Sequence, residues 1–231
     1  MSEEPNNVDH PADYGNWTWD GVGRDEAESG PIRDLAAFHR RRAGDDSALC
    51  GPGGHALVPA TMLGTIGHVQ TGSRRVARES AAETVRVLPV LDDVAVIRLD
   101  AAAGAGAPTD LRSIAELGRL RHAWSRKLHE AVVAHLSGRS NSSGRLLDQQ
   151  LVKGTLADAT IGHWEAECVL NAAGADLGDV EWLHVKITEI DRVLLRLLGA
   201  HGFTVASPGR TAHLSELLAD TYVGKADHDG T

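Results

Sequence analysis

The sequence predicts a mainly α protein, an antiparallel four-helix bundle with a small β region before it. Two observations carry this. From Leu111 onward, apolar residues recur at three- and four-residue steps in long stretches joined by short polar loops, which makes successive helices antiparallel neighbours. Between Ala48 and Leu99 the pattern changes to short β-branched runs punctuated by Gly and Pro, the signature of strands and turns.

The chain has 231 residues, enough for one large or two small domains with a buried core. A formal charge of −9 argues against nucleic acid or an anionic membrane as partner. Cys50 and Cys168 lie far apart without CxxC or Cys/His spacing, so they read as free thiols in a reducing compartment. No apolar run approaches the roughly 20 residues of a membrane span, and the acidic start MSEEPNNVDHPADYG lacks the apolar core of a secretory signal. The expected location is the cytoplasm. His184 and His201 show no metal-ligand spacing, so no metal is expected.

Each element follows from local chemistry. Residues 1–30 carry eight acidic side chains against one basic and are expected to form a mobile arm. Trp17 and Trp19 flank Thr18 and would share one side if extended; docking and plain exposure are both open. Pro31 opens a short helix, 31–44, whose Arg40-Arg41-Arg42 end suits the helix dipole as a solvated terminus. Residues 45–100 form the β region, with TVRVLPVL and VAVIRL as a hairpin turning at Asp92-Asp93 and Pro89 on an edge or bulge. AAAGAGAP, 101–108, is a linker. The bundle, 109–223, opens with Leu111, Ile114, Leu117, Leu120, Trp124, Leu128 and Val132 on one face. Its second helix carries Leu147, Leu151, Leu156, Ile161 and Trp164, with Trp164 expected in the core and His163 and Glu165 outside. The third runs from Leu177 to Gly199, the fourth from Pro208 through Tyr222, and 224–231 is a tail.

The loops between these helices resemble a known family. GRSNSSGRLLDQQLVKGTLAD, from Gly138, is similar to the segment R-K-x-F-G-x-x-[IL]-x-x-F-Q-x-x-Q-x-x-[LM]-A-D of acyl-CoA dehydrogenases. Arg139 falls on the arginine, Gln150 on a glutamine, and Leu156-Ala157-Asp158 on L-A-D. Leu198, Gly199, Ala200, His201, Gly202, Phe203, Thr204 and Pro208 match L-G-G-x-G-[YF]-[TL]-x-x-x-P without a gap. Ala48-Leu49-Cys50-Gly51-Pro52-Gly53 resembles A-L-T-E-P-G, the opening of that family's β domain. The resemblance covers roughly residues 45–223, and implies the family's carboxy-terminal helical bundle.

The departures are specific. The family's amino-terminal helical domain and the second half of its β domain are missing. The flavin-contacting positions of W-x-[ST] fall on Val76 and Arg78, and the Phe and Gly of R-K-x-F-G fall on Ser142 and Ser143. Neither family position for the catalytic glutamate holds a carboxylate, since one reads Val223-Gly224-Lys225-Ala226-Asp227 and the other lies near Ser113. Glu116 is one helical turn beyond Ser113, and the catalytic residues are left unassigned.

Dehydrogenation of a thioester needs a positioned carboxylate base and a flavin facing the β-carbon. This chain lacks the residues for both. In the family the two loops reach the FAD of a neighbouring subunit. The resemblance therefore implies a cofactor-binding set of Arg139, Ser142, Gly199, Ala200, His201 and Gly202, completing an FAD site shared across a subunit interface. A guanidinium suits a pyrophosphate, and glycine allows close backbone approach. Read without the resemblance, Arg139 complements a helix end and Gly199 and Gly202 terminate one.

The leading expectation is a trimmed companion subunit, homodimeric or paired with a fuller homologue, of a flavin-dependent oxidoreductase acting on acyl thioesters. Two rivals stand: a flavin-independent biosynthetic cyclase, isomerase or lyase acting on a small molecule in a reshaped pocket, and a non-catalytic scaffold.

Overall fold

The computed structural model describes residues 30–88, 91–100, 107–142, 144–172, 174–204 and 207–223. Expectations for Trp17, Trp19, Pro89, Ser143, most of the 101–108 linker and the 224–231 tail lie outside these residues.

The first helix, α1 (Pro31–Ala43), has Pro at its first position and buries Leu35, Ala36, Phe38 and His39. Two three-stranded sheets follow. In one, β1 (Ser47–Leu49) pairs in parallel with β3 (His68–Thr71), which pairs antiparallel with β4 (Arg74–Ala77). In the other, β6 (Leu91–Leu99) lies between β2 (His55–Pro59) and β5 (Ala82–Leu88), all antiparallel. A single-turn helix, α2 (Arg78–Ala81), links β4 to β5.

The β5–β6 hairpin does not turn at Asp92-Asp93. Leu88 already pairs with Leu91, so both aspartates lie within β6. The β-branched run after them pairs with β2 on one side and β5 on the other. That double pairing holds the strand extended back through residues that would alone favour a turn.

The bundle comprises α3 (Leu111–Ser137), α4 (Gln150–Asn171), α5 (Leu177–Leu198) and α6 (Pro208–Tyr222). Asp110 caps α3 by accepting the Ser113 N–H at 2.9 Å, and Asp176 with Asp179 forms a reciprocal capping box on α5, each satisfying amides the helix leaves orphaned. Leu128, Val132, Leu136, Ile190, Leu194 and Leu198 form one end of the bundle core. A second cluster joins bundle to β region through Phe38, Leu49, Leu57, Leu117, Trp124, Leu218 and Tyr222.

Tyr222 fastens this junction. Its buried hydroxyl accepts the Leu57 N–H at 3.1 Å and donates to the Leu49 carbonyl at 3.2 Å. Beside it the chain at Gly51 runs so close to α6 that a Cβ there would fall 1.9 Å from the Thr221 carbonyl oxygen. Only glycine allows that approach.

The second bundle helix is rotated relative to the sequence expectation. α4 buries Ala159, Gly162, His163 and Ala166, whereas Leu151, Ile161 and Trp164 are exposed, Trp164 by 64%. Small residues explain the choice. A Cβ at Gly162 would lie 2.9 Å from Ile190 Cδ1, so α4 closes tightly on α5 along its small-residue face and leaves its large side chains outside.

Candidate functional site

Two loops meet at one end of the bundle. Gly138 caps α3, and the Arg139 N–H donates to the Leu136 carbonyl at 3.1 Å. The Arg139 carbonyl accepts the Leu146 N–H at 2.9 Å, closing a ribbon of β7 (Ser140–Asn141) and β8 (Gly144–Arg145). Gly144 has φ of 112°, the left-handed region that favours glycine. Arg139 and Ser142 are both exposed on this ribbon.

The second loop begins at Gly199, with φ of 55° and ψ of −137°, a conformation strained for any residue with a Cβ. A 3-10 turn covers Gly199–Phe203. Gly202 is buried, while Gly199, Ala200 and His201 are exposed. The turn is held from α6: Ser207 Oγ donates to the Gly202 carbonyl at 2.8 Å, and a Cβ at Gly209 would fall 1.7 Å from that same oxygen.

The loops are joined by a pair of imidazoles. His201 stacks on His135, in the last turn of α3, with centroids 4.5 Å apart and planes 11° apart. Burial, then the positive charges of Arg139 and His201, lower the His135 pKa. Among the predicted site residues, His201 thus packs on His135, a residue no sequence motif singles out, and the Arg139 charge also bears on that imidazole. It draws no hydrogen bond between Ser142 and either of them among the described residues.

The positions expected to face a flavin in the β region are engaged elsewhere. Val76 packs against the β-region core. Arg78 Nη1 donates to the Leu63 carbonyl at 2.5 Å and to the Ile66 carbonyl at 3.3 Å. Arg78, but not Val76, borders an open groove of about 520 Å³ lined also by Leu63, Gly64, Ile66, Gly67 and Glu79.

The carboxylate near the vacated base position is also committed. Arg41 Nε meets Glu116 Oε1 at 2.5 Å, and Arg42 Nη1 lies 3.9 Å from Glu116 Oε2. Arg42 also donates to Ser113 Oγ at 2.7 Å and to Asp110 at 3.1 Å. Arg41 and Arg42 thus clasp α1 to α3, from a helix end on which Arg40 and Arg41 stay exposed.

Inside the bundle lies a polar core that apolar periodicity concealed. Arg121 is wholly buried; it donates to Ser215 Oγ at 3.0 Å, to Thr188 Oγ1 at 2.7 Å and to the His184 carbonyl at 3.1 Å. Burial lowers its pKa to about 10. Burial likewise raises Asp191 to about 6, opposed by Ser125, Arg121 and Ser215. A second cluster gathers His122, His163 and His129, with centroids 5.4 and 5.6 Å apart. Among the described residues no group of His, Cys, Asp or Glu is arranged to hold a metal, and no helix is long and apolar enough to cross a membrane.

No protein-family model matches the chain. No curated protein matches it either. Solved structures do. The Tcur3481–Tcur3483 steroid acyl-CoA dehydrogenase, in a variant form, superposes with a TM-score of 0.55 at 16% identity, over 75% of this chain and 57% of that one. FkbI, for biosynthesis of the methoxymalonyl extender unit of a polyketide, gives 0.51 at 18%, over 81% and 74%. A glutaryl-CoA dehydrogenase from Mycobacterium smegmatis in complex with FADH2 gives 0.50 at 16%, over 75% and 56%. The chain thus has the acyl-CoA dehydrogenase fold, and spans little more than half the length of the steroid and glutaryl-CoA enzymes.

Proposed function

We propose that this chain is a companion subunit of a flavin-dependent oxidoreductase acting on acyl thioesters in the cytoplasm. One contrast carries the reading. The Arg139 and His201 loops converge on an exposed surface, whereas Val76, Arg78 and Glu116 are tied into internal contacts. The β region of this chain does not fit a flavin of its own, because the Arg78 guanidinium is anchored on the Leu63 and Ile66 carbonyls before β3.

The loop end does fit an anionic group. Arg139 supplies an exposed cation, and a Cβ at Gly199 would meet nothing within 4 Å, so backbone there is open to close approach. Arg139, Ser142, Gly199, Ala200, His201 and Gly202 would border FAD held by a fuller homologue. FAD, when bound, supplies the hydride acceptor, and the homologue supplies the base. The two-component name of the steroid relative and the reduced flavin of the glutaryl-CoA relative support both halves of this reading.

Co-purification with a fuller homologue tests it, with absorbance between 350 and 500 nm as readout. Flavin should be retained by the pair and lost with Arg139→Ala. A chain that is yellow and active in isolation would overturn the proposal.

A second reading rests on the β-region groove of about 520 Å³ with Arg78 and Glu79 on its wall, a volume within the range of small-molecule sites. It makes the chain a flavin-independent enzyme. Saturable binding of an acyl thioester to the isolated chain, lost in Glu79→Gln, would favour it.

A further inference from the structure

The β-region groove is lined by two opposite charges on an otherwise apolar wall. One side comes from the turn before β3, at Leu63, Gly64, Ile66 and Gly67, and the other from the β4–α2 junction, at Arg78 and Glu79. Gly64 and Gly67 keep the first side open, since a Cβ at either would meet nothing within 4 Å. Ile66 belongs to the β-region core, and Leu63 and Ala82 pack against it, so the apolar lining is fixed from behind.

The two charges are held differently. Arg78 Nη1 donates to the Leu63 and Ile66 carbonyls at 2.5 and 3.3 Å, which fixes a cation in the wall. Glu79 is exposed, and its carboxylate meets no cation among the described residues. Charges that flank the lining are spent on one another. Asp46 meets His68 at 3.0 Å and Arg75 at 2.5 Å, beside Gly67 and Ala77, and Glu83 pairs with Arg98, beside Ala82. The groove's own electrostatics therefore come from Arg78 and Glu79.

We propose that this groove binds a small zwitterion, an amino acid with an apolar side chain. Every simpler ligand class leaves a charge unsatisfied. An anion meets Glu79, a cation meets Arg78, and a neutral apolar molecule strips water from both without replacing it. A molecule that carries ammonium and carboxylate on one carbon gives each a partner, the carboxylate against the guanidinium and the ammonium against Glu79. Its side chain is then left to the Leu63, Ile66 and Ala82 lining. The volume of about 520 Å³ suits a small molecule. Such binding rests on the groove being a ligand site, as the second reading holds, and requires neither flavin nor a thioester.

NMR titration of the full chain with L-leucine tests it, beside isocaproate and isoamylamine, which carry one charge each on a similar apolar body. Leucine should bind saturably, with Kd below about 1 mM, and shift the Gly64, Gly67 and Ala77 amides. Each single-charge probe should bind about tenfold more weakly or worse. Glu79→Gln should weaken leucine about tenfold while leaving isocaproate unchanged or tighter. Gly64→Leu fills the groove from its open side, so it should abolish leucine binding while thermal melting still reports a folded chain. Leucine that gives no saturable shift, that binds no tighter than either analogue, or that still binds after both substitutions overturns the proposal. A chain that binds an acyl thioester but not leucine also overturns it while keeping the second reading, which separates the two failures.

Discussion

His201 and His135 stack with ring centroids 4.5 Å apart and planes only 11° from parallel. This contact joins the loop after α5 to the last turn of α3. It also couples three basic groups electrostatically. The His135 pKa is lowered first by burial and then by Arg139 and His201. His201→Ala removes one of those charges, so the His135 pKa should rise towards its ordinary value, as read by NMR titration of the imidazole. Arg139→Gln should act in the same direction. A His135 titration unchanged in both variants would show that the loops do not share this site.

The helices α6 and α4 use glycine in two different ways. Gly209 has no room for a side chain, because a Cβ would fall 1.7 Å from the Gly202 carbonyl oxygen. Gly209→Ala must push α6 off the loop and should cost about 1–3 kcal/mol. Gly154 lies within α4, and a Cβ there would meet nothing within 4 Å. Gly154→Ala should stabilise the chain by about 0.5–1 kcal/mol, through helix propensity alone. Opposite shifts in denaturant midpoint would confirm both assignments, and equal shifts would refute them.

The sequence made the bundle legible because periodicity reports which face of a helix is apolar. It failed where two faces of one helix compete. In α4, Trp164 and Ile161 have the larger hydrophobic side chains, but Ala159, Gly162 and Ala166 offer the closer helix approach, and packing follows the small residues. His163 enters the core on that face. Arg121 was invisible for a related reason: a buried arginine is tolerated only where Ser215, Thr188 and the His184 carbonyl converge on it, and those partners lie 63 to 94 residues away. Loop motifs single out Arg139 and His201 as candidates but not the His135 ring stacked on His201, since no motif encodes a contact between loops.

Acid should loosen the α3–α4 seam. Burial, followed by the charges of His122, His129 and Arg126, lowers the His163 pKa from 6.5 to about 4. An imidazole held neutral in the fold leaves the unfolded chain to take up the proton first. Its contribution is therefore complete above pH 6.5 and is lost as pH falls towards 4. His39, also lowered to about 4 by burial, acts with the same sign. Asp191 acts oppositely: its pKa is raised to about 6, so the fold loses stability as pH rises from 3.8 to 6. Denaturation curves across pH 4–7 should thus show a net acid loss, shallower in His163→Leu and steeper in Asp191→Asn. Parallel profiles for all three proteins would sink this account.

The junction between β region and bundle rests on one hydroxyl. Tyr222 is completely buried and closes T-shaped contacts with Phe38 and His39, while its hydroxyl bridges the Leu57 N–H and the Leu49 carbonyl. Tyr222→Phe keeps the ring and its packing but leaves a buried strand amide without an acceptor. That loss should cost about 1–3 kcal/mol. Hydrogen exchange at the Leu57 amide separates this cause from a general loosening. It should quicken in Tyr222→Phe while amides in the α3–α5 core keep their protection relative to global stability. If Leu57 exchanges no faster than its strand neighbours, the hydroxyl is not what holds the β region against α6.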